Sequence, residues 1–363
     1  MQINGLITIA MAGFAAIAAA QPHKHHLHLR HAAMPRDALN DYSTTVDQPA
    51  GPTGSPREDK VHSTERFEFA ATKSSAPVAS KTPEAEAQGK RKAVSSGSGM
   101  DRDFPDGKIS CTEFPSEYGA IKTDWITKTG WSSIQKDGGN DDHIGVCTDG
   151  ALCSYACPAG YSKAQWPEVQ PASGESMGGL ECKNGKLYKT NSSFNKLCRA
   201  GKGTARVSSK LDQHVAICRT DYPGSENMVV PLSCTPGSTQ ELTVPEASNS
   251  YVWQGKPSSA QYYVNNAGIS LEDGCQWGTP DGGLGNWSPV VIGAGYSDGK
   301  TWLSISQNNL NSDPLNYNIR IVAEDGSKIS AECSYENGKF SNGDPVGCTV
   351  AVDNGGSARF ELY

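Results

Sequence analysis

Short apolar runs separated by turn residues fill the last fifty positions of the chain. The runs span residues 317–323, 328–335, 348–352 and 358–363 and are rich in β-branched and aromatic residues. Asp325-Gly326, Asn337-Gly338 and Asn354-Gly-Gly356 lie between them. Because Asn-Gly and Asp-Gly pairs supply the positive φ angles of tight hairpin turns, the pattern predicts successive antiparallel hairpins.

Only one segment has a helical pattern. Between residues 204 and 219, Val207, Leu211, Val215 and Cys218 recur at the spacing of one helix face, which predicts a helix there. No repeat of fixed period is visible, which argues against a solenoid or a propeller. We therefore expect an all-β, disulfide-rich antiparallel β-sandwich with at most one or two short helices.

The first hundred residues have a different composition. Residues 6–20 form an apolar, alanine-rich run before Gln21-Pro22, which indicates a signal peptide over residues 1–20. The alternative is a membrane helix, but the run falls short of the ~20 residues needed to span a bilayer. Residues 21–100 are rich in Ala, Ser, Pro, Thr and charge, so we expect a disordered pro-region or linker.

Two features of this leader leave alternatives open. Lys90-Arg91 resembles a dibasic processing site, and an ordinary charged linker is the other interpretation. Residues 23–31 contain five histidines, which could bind a transition metal or simply form a solvated basic segment. All seven Trp and all eleven Cys follow residue 100, so we expect one folded domain over residues 101–363.

The cysteines predict covalent cross-links. Cys147, Cys153, Cys157 and Cys182 are separated by five, three and twenty-four residues, which favours a disulfide staple closed by Cys182. Structural zinc sites usually use close C-x2-C pairs, which are missing from this group. Eleven cysteines leave one over, either free and buried or bound to another molecule.

Charge and local composition limit the classes of partner, metal and modification that we expect. The net charge of −7 gives no reason to expect nucleic acid or an anionic membrane as a partner. Residues 137–143 have a calcium-like composition but lack the ligand register of an EF-hand, so we expect a solvated turn and no metal. Asn191-Ser-Ser193 and Asn286-Trp-Ser288 are N-glycosylation sequons, and Pro289 disfavours use of the second.

The cysteine spacing and its flanking segments resemble the fungal SUN family of secreted cell-wall proteins. The matching segments are Cys153-Ser-Tyr-Ala-Cys157, Gln165-Trp-Pro167, residues 215–224, Glu226-Asn-Met228, residues 259–268 and Leu315-Asn-Tyr-Asn318. The resemblance covers residues 104–363. It implies a secreted yeast or mould wall protein that acts on β-1,3-glucan, in a glycoside hydrolase family of its own. It supplies no established catalytic residues and implies no cofactor.

Glycosidic cleavage normally needs two carboxyl groups, and an apolar neighbour moves the pKa of one toward the range of a general acid. Three stretches place acids beside aromatic residues. They are Glu168 beside Trp166, Asp221 and Glu226 around Tyr222, and Glu272 and Asp273 near Trp277. We rank the second stretch first, because Cys218 could anchor it. The alternative for each acid is a solvated or hydrogen-bonded structural role.

Residues that bind sugar should combine aromatic faces with amide groups. Trp253, Tyr262, Tyr263, Asn265 and Asn266 do so, although an aromatic strand of a sandwich core has the same pattern. The aromatic residues beside the candidate acids, Trp166, Tyr222 and Trp277, are further candidates for binding sugar. Only two histidines lie in the domain, and no G-x-S-x-G motif accompanies them, so a serine hydrolase is disfavoured.

Three functions follow from these observations. The first is a secreted cell-wall glycosidase that hydrolyses or transfers β-1,3-glucan during septation and cell separation. By analogy with other proteins that meet this glucan, its sandwich should be thaumatin-like with an acidic cleft. The second is a non-catalytic glucan-binding wall protein. The third is a covalent link to wall components through the unpaired cysteine.

Overall fold

The computed structural model describes residues 98–136, 140–141, 145–221, 226–253, 255–324 and 326–363. The expected signal peptide, the histidine-rich pro-region and Lys90-Arg91 lie outside these residues, as do Tyr222 and most of the 137–143 turn. Within the described part of the chain, no helix has the length and apolar character required to cross a bilayer.

The amino-terminal part, residues 98–200, has seven short strands. They are β1 (Ser133–Lys136), β2 (Asn140–Asp141), β3 (Leu152–Ser154), β4 (Tyr161–Lys163), β5 (Leu180–Lys183), β6 (Lys186–Tyr188) and β7 (Cys198–Ala200). Five of them form a sheet in the order β2-β1-β3-β5-β6, and β4 pairs with β7. Six half-cystines belong to the core of this part, together with larger apolar side chains such as Trp131 and Leu180. Cross-links therefore stand in for the long strands that this part lacks.

Of the fourteen remaining strands in the described residues, twelve build a sandwich of two six-stranded sheets and two, Val252–Trp253 and Lys256–Pro257, pair only with each other. They are β8 (Ala205–Ser209), β9 (Val215–Thr220), β10 (Met228–Cys234), β11 (Thr239–Glu241), β12 (Val252–Trp253), β13 (Lys256–Pro257), β14 (Ala260–Val264), β15 (Val290–Ser297), β16 (Lys300–Gln307), β17 (Ile319–Glu324), β18 (Ser334–Glu336), β19 (Lys339–Phe340), β20 (Gly347–Val352) and β21 (Ser357–Leu362). The sheet orders are β10-β9-β14-β15-β16-β20 and β11-β8-β21-β17-β18-β19. Their facing apolar side chains form one continuous core. The expected disulfide-rich all-β fold is confirmed.

The helix predicted over residues 204–219 is wrong, because the segment forms β8 and β9. Ala205, Val207 and Ser209 are buried while Arg206 and Ser208 are not, which is the period of a strand. Spacings of four residues fit a strand face as well as a helix face. The described helices are a single turn, α1 (Leu271–Gly274), in which the Ser270 hydroxyl accepts a hydrogen bond from Asp273 N, and two short 3-10 turns.

The hairpin prediction is confirmed where its turn is described. Asn337 and Gly338 both have positive φ, 50° and 77°, and join β18 to β19. Between residues 328 and 335, only Ser334 and Tyr335 belong to a strand, β18, so that run is shorter than expected. The runs at 348–352 and 358–363 correspond to β20 and β21.

Five disulfides connect ten of the eleven cysteines. The bonds are Cys111–Cys182, Cys147–Cys153, Cys157–Cys198, Cys218–Cys275 and Cys333–Cys348. All four staple cysteines are in disulfides, as expected. The expected closure by Cys182 is wrong, since only Cys147 and Cys153 bond within the group.

The unpaired cysteine is Cys234, which is fully buried in the sandwich core. Burial raises the pKa of its thiol to about 12. A buried, protonated thiol cannot attack or be attacked by a molecule outside the fold. The suggested covalent link to wall components therefore does not fit this structure.

Candidate active site

Asp221 and Glu226 lie at one end of two neighbouring strands. β9 ends at Thr220, directly before Asp221, and its antiparallel partner β10 begins two residues after Glu226. The Thr220 hydroxyl donates a 2.5 Å hydrogen bond to the backbone oxygen of Glu226, which holds the two strand ends together. Both carboxyl groups are buried, with Asp221 5% and Glu226 0% exposed. Acids so buried need a partner, because an isolated charge is costly away from water.

Lys163 is that partner. It is the last residue of β4, in the amino-terminal part, and its side chain is fully buried. Its Nζ lies 3.3 Å from Asp221 Oδ2 and forms an ion pair with Glu226 Oε1. Nζ also donates a 2.8 Å hydrogen bond to Ser154 Oγ, which in turn donates to Glu226. The acids of the sandwich thus meet a cation of the amino-terminal part.

A second cation contacts Asp221. Arg219 Nη2 lies 3.3 Å from Asp221 Oδ1, two residues away in the chain. Asp221 therefore lies between Lys163 and Arg219, whereas Glu226 contacts only Lys163 among these cations. The two acids consequently have different electrostatic environments.

Glu226 has an unusual proton affinity. Burial is the main cause that raises its pKa, to about 8; Lys163 opposes the rise and Asp221 adds to it. Burial therefore favours the protonated form of Glu226, while the contact with Lys163 favours its carboxylate form. A carboxyl group that keeps its proton to a pH above its usual range is suited to the role of a general acid.

A groove of about 260 Å³ lies over this cluster. Its lining includes Lys163, Trp166, Glu168, Asn191, Arg219 and Tyr251. The Trp166 and Tyr251 rings stack with centroids 4.1 Å apart, and Lys163 Nζ lies 4.3 Å from the Trp166 centroid. The Trp166 ring therefore packs against both Tyr251 and the Lys163 ammonium that contacts the two acids.

Some buried polar atoms at and behind this groove lack a hydrogen-bond partner. Nine such side-chain atoms occur in the described residues; Arg219 Nη1 and Tyr251 OH belong to residues that line the groove, and Asp221 Oδ2 and Glu226 Oε2 lie behind Lys163. Of these, Asp221 Oδ2 has the ion pair with Lys163, and the Tyr251 hydroxyl interacts with Ser176. Buried polar atoms are normally satisfied, so a cluster of donors and acceptors suits a hydroxyl-rich ligand or ordered water.

The other predicted acids are placed differently. Glu168 lines the same groove as Asp221's partner Lys163 and is exposed. Glu272 and Asp273 lie exposed on α1, where Asp273 accepts a 2.8 Å hydrogen bond from the Ser270 hydroxyl. Neither they nor Trp277 line the groove. Glu168 therefore lines the groove, Asp221 and Glu226 lie behind its lining residues Lys163 and Arg219, and the third stretch is apart from it.

Of the predicted sugar-binding residues, Trp166 lines the groove, while Trp253 donates a 2.7 Å hydrogen bond to Gly174 O and holds two loops together. Tyr262 is fully buried in the sandwich core, and its hydroxyl donates to Thr243 O. Tyr263 packs beside the Cys218–Cys275 bond.

The two asparagines after β14 also have structural partners. Asn265 Nδ2 donates to Ala216 O and Gly274 O, at 3.0 and 3.2 Å. Asn266 Oδ1 accepts a 3.0 Å hydrogen bond from Asn316 N. The residues from Tyr262 to Asn266 therefore follow the alternative interpretation, an aromatic strand of the core and its continuation, and they do not reach the groove.

Sequence reasoning missed Lys163, Arg219 and Tyr251. Lys163 lies in a short polar strand where nothing in the local spacing marks it as buried. Arg219 stands in a strand whose six residues are all buried, and a lone cation in such a run was a usable signal. Tyr251 lies two residues before Trp253, and the search for aromatic sugar-binding residues that selected Trp253 could also have selected it.

Comparisons with known proteins agree with the sequence resemblance. A family model described as "Beta-glucosidase (SUN family)" matches residues 106–350. "Probable secreted beta-glucosidase UTH1" of Saccharomyces cerevisiae is 55% identical over 261 residues, covering 72% of this chain and 71% of that protein. "Secreted beta-glucosidase SUN41" of Candida albicans is 52% identical over 261 residues, covering 72% and 62%. Among solved structures, the thaumatin-like xylanase inhibitor TLXI matches 44% of this chain and 98% of its own, at a TM-score of 0.29 and 11% identity.

Proposed function

Since the chain belongs to the SUN family of β-glucosidases, we propose that it is a secreted glycosidase of the fungal cell wall that acts on β-1,3-glucan. The relatives named above are secreted β-glucosidases, which supports export and activity on β-linked glucose. The β-1,3 linkage, the wall location and a role in septation and cell separation are our own extension, from the motifs shared with the family. The activity covers hydrolysis, transfer, or both.

One observation supports catalysis most directly: Asp221 and Glu226 share Lys163. Because both carboxyl groups contact the same Nζ, their nearest oxygens lie within about 6 Å of each other, compatible with the ~5 to 5.5 Å between the carboxyl groups of retaining glycosidases. The environments of the two acids also differ, since Asp221 contacts Arg219 as well as Lys163. We therefore assign a retaining mechanism.

In this mechanism Glu226 is the acid. It gives its proton to the glycosidic oxygen as the bond to the anomeric carbon breaks, and becomes a carboxylate stabilised by Lys163. Asp221 attacks the anomeric carbon and forms the glycosyl–enzyme bond. Water, or a sugar hydroxyl in transfer, then loses a proton to Glu226 and displaces Asp221. Each proton that Glu226 donates is thus recovered in the second step.

The groove suits a neutral sugar. It offers an aromatic wall, the Asn191 amide and unpartnered donors and acceptors, the mixture that orients hydroxyl groups. Its volume of about 260 Å³ is close to the lower end of the ~300 to 1,000 Å³ of small-molecule sites. A short part of a glucan chain is therefore the expected occupant.

The test uses Glu226→Gln and Asp221→Asn, with Glu272→Gln as the matched control on the exposed helix α1. Each secreted variant is incubated with β-1,3-gluco-oligosaccharides, and products are separated by chromatography. We expect both variants of the buried acids to lose roughly 10²-fold to 10⁴-fold in rate, the contribution of general acid–base catalysis or more, and the control to stay active. An active Glu226→Gln variant contradicts the assignment of the acid.

A non-catalytic glucan-binding protein is the second candidate. It is favoured by the full burial of the acids, which allows Lys163, Asp221 and Glu226 to serve only as an ion-pair cluster between the two parts. In that case the wild type binds insoluble β-1,3-glucan but releases and transfers no sugar.

A further inference from the structure

The Asn191 sequon, identified from the sequence as a glycosylation site, lies at the proposed sugar groove. Asn191 lines the groove together with Ala164, Trp166 and Pro167. The side chain that would carry a glycan thus stands in the wall that would contact a substrate. A glycan and a substrate would compete for this space.

The loop that carries Asn191 is held in place by one buried amide. Gln165 is fully buried, and its Oε1 accepts hydrogen bonds from Thr190 N at 3.1 Å and Asn191 N at 2.9 Å. Its Nε2 donates to Phe194 O and Lys196 O, at 3.0 and 2.8 Å. All four bonding positions of a primary amide are thereby used on one loop, so the loop cannot easily swing away from the groove.

The Asn191 side chain is itself oriented. Its Oδ1 accepts a 3.0 Å hydrogen bond from Ser193 N, and its Nδ2 donates a 3.1 Å hydrogen bond to Ala164 O. A primary amide carries two N–H hydrogens, so one remains for a ligand in the groove. N-glycosylation replaces one of these two hydrogens with a sugar, so the amide cannot keep the Ala164 bond and also donate to a ligand.

Resting on the proposed function, we infer that Asn191 is a ligand-contacting residue of the groove and carries no glycan in the form of the protein that binds sugar. The Nδ2 hydrogen not used by Ala164 donates to a sugar hydroxyl. Asn286, in the other sequon, provides an internal comparison, because its Oδ1 accepts from Gly278 N and it does not line the groove.

Two variants separate the side chain from the sequon. Ser193→Ala destroys the glycosylation signal but leaves Asn191 and the backbone N–H that orients it. Asn191→Ala destroys the signal and removes the amide. The full secreted chain and both variants are passed over immobilised β-1,3-gluco-oligosaccharide, and affinities for the soluble oligosaccharide are measured by calorimetry. Glycan occupancy at Asn191 and Asn286 is measured by peptide mass spectrometry in the retained and unretained fractions.

We expect the retained fraction to lack a glycan at Asn191, Ser193→Ala to bind like the wild type, and Asn191→Ala to bind at least tenfold more weakly. A retained fraction glycosylated at Asn191 overturns the inference. An Asn191→Ala variant with wild-type affinity also overturns the inference. So does a Ser193→Ala variant that binds as weakly as Asn191→Ala, because equal weakening indicates that both changes disrupt the loop. If the wild type neither binds nor cleaves β-1,3-glucan, the proposed function is refuted, and the inference that rests on it is refuted too.

Discussion

The amino-terminal part and the sandwich solve the same folding problem in different ways. The sandwich has strands of up to eight residues and a core of Val, Ile, Leu and Tyr side chains drawn from both sheets. The amino-terminal part has strands of at most four residues and draws six of its core residues from half-cystines. Short strands bury little apolar surface, so the cross-links in this part restrict the unfolded chain instead.

The difference also explains where the candidate site lies. Neither part alone could bury the acids, because Asp221 and Glu226 come from the sandwich and Lys163 comes from the amino-terminal part. Strand length gives the sandwich rigid positions for the acids, and the cross-linked loops bring Lys163 and Trp166 over them. The site therefore depends on both parts being folded and joined.

The largest expected effect comes from removing the cation between the two parts. Lys163→Met leaves Asp221 and Glu226 buried without their shared cation, and breaking a buried pair in this way costs ~3 to 5 kcal/mol. Urea unfolding measures the loss, and Lys128→Met, at an exposed lysine, is the control.

A double variant sharpens the Lys163 prediction. Adding Glu226→Gln to Lys163→Met removes one of the two stranded acids, so part of the lost stability should return. A Lys163→Met variant as stable as the wild type would mean that the two parts do not depend on this cluster.

The next expected effect is a difference in stability when one disulfide is removed from each part. The Cys111–Cys182 bond closes a loop with a sequence separation of 71, and the Cys333–Cys348 bond closes one of 15. Chain entropy assigns ~4 kcal/mol to the first and ~3 kcal/mol to the second. Replacing each pair by serine and following amide hydrogen exchange should show the amino-terminal part opening in the first variant. In the second variant, exchange in the long sandwich strands should change much less; equal opening of both parts contradicts the comparison.

The last expected effect is a difference in pH dependence. The pKa of Glu226 is raised from 4.5 to about 8, so its folded form holds more protons between these values. Its contribution to stability is complete below pH 4.5, declines above it and is lost as the pH rises through 8. Glu226→Gln should flatten this decline in thermal unfolding temperature.

Glu361, on the outer face of the sandwich, has a pKa shift opposite in sign to that of Glu226. Burial opposes the shift, but hydrogen bonds from Lys210, Arg320 and Arg359 lower its pKa from 4.5 to about 2. This contribution is present above pH 4.5 and is lost as the pH falls through 2. Glu361→Gln should therefore flatten only the acid side of the profile, and a matching change on the alkaline side would contradict the assignment.

The sequence predicted the sandwich better than the site. Turn pairs such as Asn337-Gly338 act locally, so their hairpins could be read from neighbouring residues. The failure at residues 204–219 arose because strand and helix faces share a four-residue spacing. Asp221 and Glu226 could be ranked first from nearby aromatic and turn residues. Their partner Lys163 could not be found, because β4 and β9 are brought together only by the tertiary fold.

The pairing of β21 with β8 constrains how the molecule can be made. These strands are parallel, and Ala205 lies opposite Ala358, a separation of 153 positions (358 − 205). As a growing chain crosses a membrane, one edge of β8 stays unpaired until β21 has emerged. The disulfides within residues 111–198 can form before that point. Open edges invite pairing with other chains. Secretion of this protein would therefore benefit from chaperones that shield the incomplete sandwich, and a chain released before residue 357 would be a cross-linked fragment that lacks β21.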